Sequence, residues 1–209
     1  MTDKTDNPQL WTPRSVNDTK ALYADWADSY DDDITAMAYA TPDRIAKALL
    51  TLDPDFTQPV LDFGCGTGLS GAALYRHGFR QIDGTDITPE MLSYAETKTT
   101  PDGPLFRKLW QGTPDEIGVK PNDYGVIVAT GVISLGAAPP DVLDVLLDAL
   151  APDALLAFSY NDPTLADESY TDALAAVLSS GKARQEFREH GPHLNEKVTG
   201  SDVIVLRRL

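Results

Sequence analysis

Apolar residues along this chain fall into two recurring patterns: short, nearly continuous runs bounded by glycine or proline, and longer stretches with apolar positions three and four apart. The first pattern predicts strands buried on both faces, over 60–63, 81–86, 105–110, 124–130 and 154–160. The second predicts helices between them. A helix is expected over 16–30, with Tyr23, Trp26 and Tyr30 on one face and the run Asp31-Asp32-Asp33 ending it in a solvated turn. Thr41-Pro42-Asp43 starts the next, with Thr41 as N-cap, Pro42 at the first helical position, and Ile45, Leu49 and Leu52 as the apolar face. Further helices open at Leu69 (ending at His77-Gly78), at Thr88-Pro89-Glu90, over 141–150 with Val142, Leu143, Val145, Leu146 and Leu147 turned inward, and over 165–180. A closing pair of strands is expected over 183–190 and 201–208. Strands alternating with helices predict an α/β fold, a mostly parallel sheet covered on both sides.

The chemistry concentrates where the first strand ends. Asp62-Phe63 leads into Gly64-Cys65-Gly66-Thr67-Gly68, and an apolar helix follows at once. Glycines there allow positive φ and remove the Cβ atoms that would keep a ligand off the main chain, while the first N–H groups of the helix point back at it. Asp86, closing the second strand, is placed to accept both hydroxyls of a ribose. A merely structural glycine turn is the plainer reading, but the acid, the glycines and the second acid in this order argue against it. A nicotinamide-binding unit is disfavoured too. Gly68 stands where a second spacer is needed, and Asp62 repels a diphosphate while suiting an ammonium.

These residues resemble the class I S-adenosylmethionine-dependent methyltransferases, whose first motif is an acid, one residue and Gly-x-Gly-x-Gly. Residues 78–92 resemble the family's second motif, and the segment 23–34 resembles the methyltransferase-like group related to the Williams-Beuren region protein. The resemblance implies a Rossmann-like sandwich with a seven-stranded sheet whose last strand is antiparallel, and S-adenosyl-L-methionine as cofactor. It implies a cofactor site at Tyr23, Trp26, Tyr30, Asp62, Gly64, Cys65, Gly66, Gly68, Asp86, Ile87, Met91, Gln111, Gly112, Thr113 and Thr130. One departure stands out: where the family carries an acid for the adenine amino group, this chain has Gly112-Thr113. Thr113, Gln111 or Asp115, or stacking on Ile87 and Trp110, are the substitutes available. The aromatic face of the first helix either packs into the core or lies over the cofactor as a lid, where a cation–π contact with the sulfonium is available.

Composition narrows the partners. At 209 residues the length suits one domain over 15–209, with a lid over about 15–55 and a loose tail over 1–14. A net charge of −15 disfavours nucleic acid, whose phosphates require Lys and Arg clusters, and favours a small or basic methyl acceptor. The polar N-terminus and the lack of a long apolar run predict a cytoplasmic protein with no membrane span. Cys65, the single cysteine, reads as a small residue fitting the loop rather than a catalytic thiol. His190 and His193 lack accompanying ligands and read as a solvated loop, so no metal is expected. Tyr30, Tyr160 and His193 are the acceptor-side candidates, and no residue is assigned as catalytic. A silent cofactor-binding protein of the same fold, and an oxidoreductase, are the alternatives.

Overall fold

The computed structural model describes residues 12–113 and 118–209; Asp115 and residues 1–11 of the tail expected over 1–14 lie outside the described residues. In chain order the elements are α1 (Val16–Trp26), α2 (Tyr30–Ala36), α3 (Thr41–Leu50), β1 (Val60–Phe63), α4 (Leu69–Arg76), β2 (Ile82–Asp86) and α5 (Pro89–Thr97). Then come the short pair β3 (Thr99–Thr100) and β4 (Gly103–Pro104), β5 (Lys108–Gln111), β6 (Val126–Ala129), α6 (Val142–Ala149) and β7 (Leu155–Asn161). The chain closes with α7 (Asp162–Leu165), α8 (Glu168–Ser179), β8 (Ala183–Pro192) and β9 (Gly200–Arg208).

The seven long strands form one sheet in the order β5-β2-β1-β6-β7-β9-β8. Only β9 runs against its neighbours, pairing antiparallel with both β7 and β8. The expected parallel sheet with a reversed last strand is therefore present. Period-two alternation divides each central strand between two cores. Ile127, Leu156, Phe158 and Ile204 meet α6 and α8 on one face. Val126, Val128, Leu155 and Val205 meet α3, α4 and α5 on the other. With both faces covered, the strands read as unbroken apolar runs, which is how they were recognisable.

Several local expectations are corrected. The first helix breaks after Trp26, and Asp31, Asp32 and Asp33 form the opening turn of α2 rather than a terminating loop. Carboxylates are favoured at that position by the unpaired N–H groups and the helix dipole. Thr41 does not cap α3; its hydroxyl goes instead to His193 Nδ1 at 2.8 Å and Ser201 Oγ at 3.1 Å. Val145 lies on the outer side of α6 and is half exposed. The helix expected over 165–180 is two pieces, α7 and α8, separated by a turn in which Asp167 caps α8 through Ser169.

Candidate cofactor site

Leaving the middle of the sheet, the chain builds β1, β2 and β5 outward in one direction and β6 in the other, so the carboxyl ends of β1 and β6 flank a crevice where the order reverses. The loop 64–68 enters it from β1 and Thr130 from β6. A narrow cavity of about 40 Å³ lies there, lined by Tyr30, Tyr39, Gly64, Cys65, Gly66 and Thr130 among others. That is room for about three or four waters at roughly 10–15 Å³ each.

The three loop glycines do different things. A Cβ added to Gly66, at φ +54°, meets nothing within 4 Å, so open space lies above this residue. At Gly64 it would fall 2.3 Å from Val132 Cγ2, and at Gly68 2.9 Å from Phe106 Cε2. Those two glycines accommodate protein packing; the approach expected of all three is available at Gly66.

Two carboxylates flank the loop. Asp62 is fully buried, its Oδ2 accepting the Ser70 hydroxyl at 2.5 Å while its Oδ1 has no partner. Burial raises its pKa to about 7, opposed by hydrogen bonds from Ser70 and the Gly71 N–H and reinforced by the nearby charge of Asp86. An unsatisfied, buried carboxylate oxygen is costly unless a donor or cation meets it. Asp86 accepts the backbone N–H of Gly66 at 2.9 Å through Oδ2 and that of Thr88 at 2.8 Å through Oδ1. Burial raises its pKa as well, against these hydrogen bonds. The Thr88 hydroxyl and the Ile87 N–H also act on this carboxylate, which fixes its orientation at the end of β2.

The aromatic wall is shared between two helices. Tyr23 stacks on Trp26 at 6.2 Å, and Trp26 meets Tyr30 edge-on at 4.8 Å. Trp26 itself is buried, its indole N–H donating to Asp33 at 2.7 Å, and it supports Tyr30 rather than lining the cavity. Burial pushes the hydroxyls of Tyr23, Tyr30 and Tyr39 upward. The charge of Asp86 at Tyr23 and Tyr30, and that of Asp62 at Tyr39, reinforces this, while Arg14 opposes it at Tyr23.

The other expected positions are scattered. Met91 is buried in α5. Gln111 is exposed and donates to the Ile87 carbonyl at 3.1 Å, and the Gly112 N–H ties the end of β5 to the Asp86 carbonyl at 2.9 Å. Thr113 is exposed at the edge of the described residues. Tyr160 belongs to the core, packed edge-on against Phe158 and Tyr170, and not to an acceptor pocket. His193 is buried rather than in a solvated loop; it meets Tyr39 edge-on at 5.2 Å, and burial lowers its pKa to about 4. His190, by contrast, is exposed and bonded to Asp202 at 2.9 Å. Tyr39 was not anticipated at all, because a single tyrosine between two helices carries no periodic signal. Among the described residues no cluster of metal-ligating side chains occurs, and no helix is long and apolar enough to cross a membrane.

A seven-stranded sheet reversed only at its last strand, with an acid and a glycine turn at the central crevice, defines the class I methyltransferase fold. Comparison with known proteins agrees. A methyltransferase domain family model matches residues 61–156. The human methyltransferase-like protein 27 is 29% identical over 75% of this chain, and the 18S rRNA (guanine-N(7))-methyltransferase of Bos taurus is 34% identical over 42% of it. The chain spans 63% of the length of the human protein, 62% of that of YqeM from Bacillus subtilis, and 30% of that of the bovine enzyme. Among solved structures, magnesium protoporphyrin IX methyltransferase from Synechocystis with bound S-adenosylhomocysteine shares the fold. Its TM-score is 0.66 at 17% identity, covering 91% of this chain and 100% of that one. This chain is thus similar to methyltransferases over residues 61–156 and shares its fold with S-adenosylmethionine-dependent members of the class.

Proposed function

We propose that this protein transfers the methyl group of S-adenosylmethionine to a small-molecule acceptor. The observation that carries the cofactor reading is the unpartnered Asp62 Oδ1 beneath a glycine turn with open space at Gly66. In this reading Asp62 attracts the methionyl ammonium, Asp86 accepts the ribose hydroxyls, and Gly66 lets the ligand lie on the main chain. Ile87, Gln111, Gly112 and Thr113 lie on the adenine side, and Tyr23 and Tyr30 close over the methionyl end as part of a helical lid.

When bound, the cofactor supplies a methyl group already activated on a sulfonium. What the chain contributes is alignment and exclusion of water, and holding reactants in near-attack geometry lowers such a barrier by several kcal/mol. Thr130, whose hydroxyl is buried without a partner at the end of β6, and Tyr39 stand on the acceptor side. His193 stays neutral at physiological pH behind Tyr39, given its pKa of about 4.

The net charge of −15 supports a small acceptor over RNA, because phosphate contacts need clustered cations. Relatives named for ribosomal RNA and for ribosomal protein L11 make macromolecules the comparison to run. Methyl transfer should be followed with labelled cofactor on a metabolite panel, ribosomal RNA and a basic ribosomal protein. Label in the metabolites supports the proposal. Label in RNA or protein alone overturns the acceptor class, and binding without transfer to any of the three identifies a silent cofactor-binding protein.

A further inference from the structure

Asp31 touches more of the molecule than any reading of it as a solvated acidic turn allows. Its Oδ1 accepts the Thr67 hydroxyl at 2.5 Å and its Oδ2 meets the Lys98 ammonium at 2.6 Å. Thr67 lies between Gly66 and Gly68 in the cofactor loop. Lys98 caps α5, and its aliphatic stem runs against Gly68, 3.1 Å from where a Cβ would stand. One carboxylate therefore joins α2, the loop and the end of α5. The residue before Asp31 is Tyr30, a wall of the cavity, so the position of that wall follows the position of Asp31. The Asp31 and Lys98 side chains are 37% and 24% exposed, which leaves the pair open to salt.

We propose that Asp31, Lys98 and Thr67 form a latch that holds Tyr30 against the cofactor loop, making Asp31 and Lys98 positioning residues that set cofactor affinity without touching the cofactor. The proposal rests on the reading of this cleft as the cofactor site. Its physical basis is a charge-assisted contact at short range whose strength is shared between an ion pair and a hydroxyl. Tyr30 lines the narrow cavity beside the loop, so movement of that wall changes the space open to a ligand. Opening the latch and reclosing it over a ligand is the sequence this geometry implies.

Two measurements on the full chain decide it. The first is hydrogen exchange over 28–36 with and without S-adenosylhomocysteine. The second is calorimetric titration of that ligand at low and high sodium chloride; because the ligand carries no net charge near neutral pH, the salt response reports the protein. Lys98→Met should speed exchange over 28–36 and weaken binding by about three- to thirtyfold, between the effects typical of exposed ion pairs and of charged hydrogen bonds. It should also flatten the salt response. Lys98→Arg should restore most of the affinity, and Thr67→Val, which keeps the side-chain shape, should show a smaller loss if Lys98→Met proves unfolded. Wild-type affinity and exchange in Lys98→Met, or in Thr67→Val should Lys98→Met not fold, overturn the latch. If the wild-type protein binds no S-adenosylhomocysteine, the cofactor reading fails, while exchange in the unliganded variants still decides the latch by the same criterion.

Discussion

Asp62 is a carboxylate held where a charge is expensive, and its titration carries information about what it meets. With its pKa raised from 3.8 to about 7, the folded protein binds a proton that the unfolded chain has released between those values. Stability contributed by this group is thus full at low pH and declines as pH rises through about 7. A cation arriving beside it favours the charged form and expels that proton. S-adenosylhomocysteine affinity should accordingly rise between about pH 6 and pH 8, with a binding heat that depends on the ionisation enthalpy of the buffer. Asp62→Asn should abolish both trends; persistence of either in that variant removes Asp62 from the ammonium site. Asp86 makes the complementary case. Its loss should cost one or two charge-assisted hydrogen bonds, so Asp86→Ala should weaken binding by roughly 10- to 100-fold. An unchanged dissociation constant in a folded Asp86→Ala protein takes the ribose away from this residue.

At the scale of elements, the loop 64–68 separates packing from binding. Gly66→Val inserts a side chain into open space at positive φ, so it should eliminate S-adenosylhomocysteine binding while circular dichroism stays close to wild type. Gly64→Ala drives a methyl into Val132 and should instead lower the melting temperature. Retained affinity in Gly66→Val means that the ligand does not lie on this loop. The strands and most helices were legible because their signals are local: an apolar run, a proline at a helix start, a glycine at its end. The failures share a cause. Thr41 carries every local mark of a cap, yet its hydroxyl is drawn to His193 and Ser201, partners more than 150 residues away in sequence. After the break that follows Trp26, Asp31 meets Thr67 and Lys98, contacts that no pattern within the segment announces.

Across the whole molecule, the order of the strands places the glycine turn, Asp86 and Thr130 around one crevice, and the motif spacing already pointed to the first two. What the sequence left unread is the wall opposite: Tyr39, and the burial of His193 behind it. These depend on α2 and on the loop between β8 and β9 folding back over the carboxyl end of the sheet, where the Ala40 N–H reaches the His193 carbonyl at 2.9 Å. The high acidity of the chain bears on the choice of acceptor rather than on the fold.

The central claim, that the crevice at the ends of β1, β2 and β6 is an S-adenosylmethionine site, is tested most directly by calorimetric titration of the wild-type protein with S-adenosylmethionine, S-adenosylhomocysteine and NADH. The account predicts saturable one-to-one binding of the first two and no heat from the third. Binding of NADH, or no binding of either S-adenosyl compound by the folded protein, contradicts it.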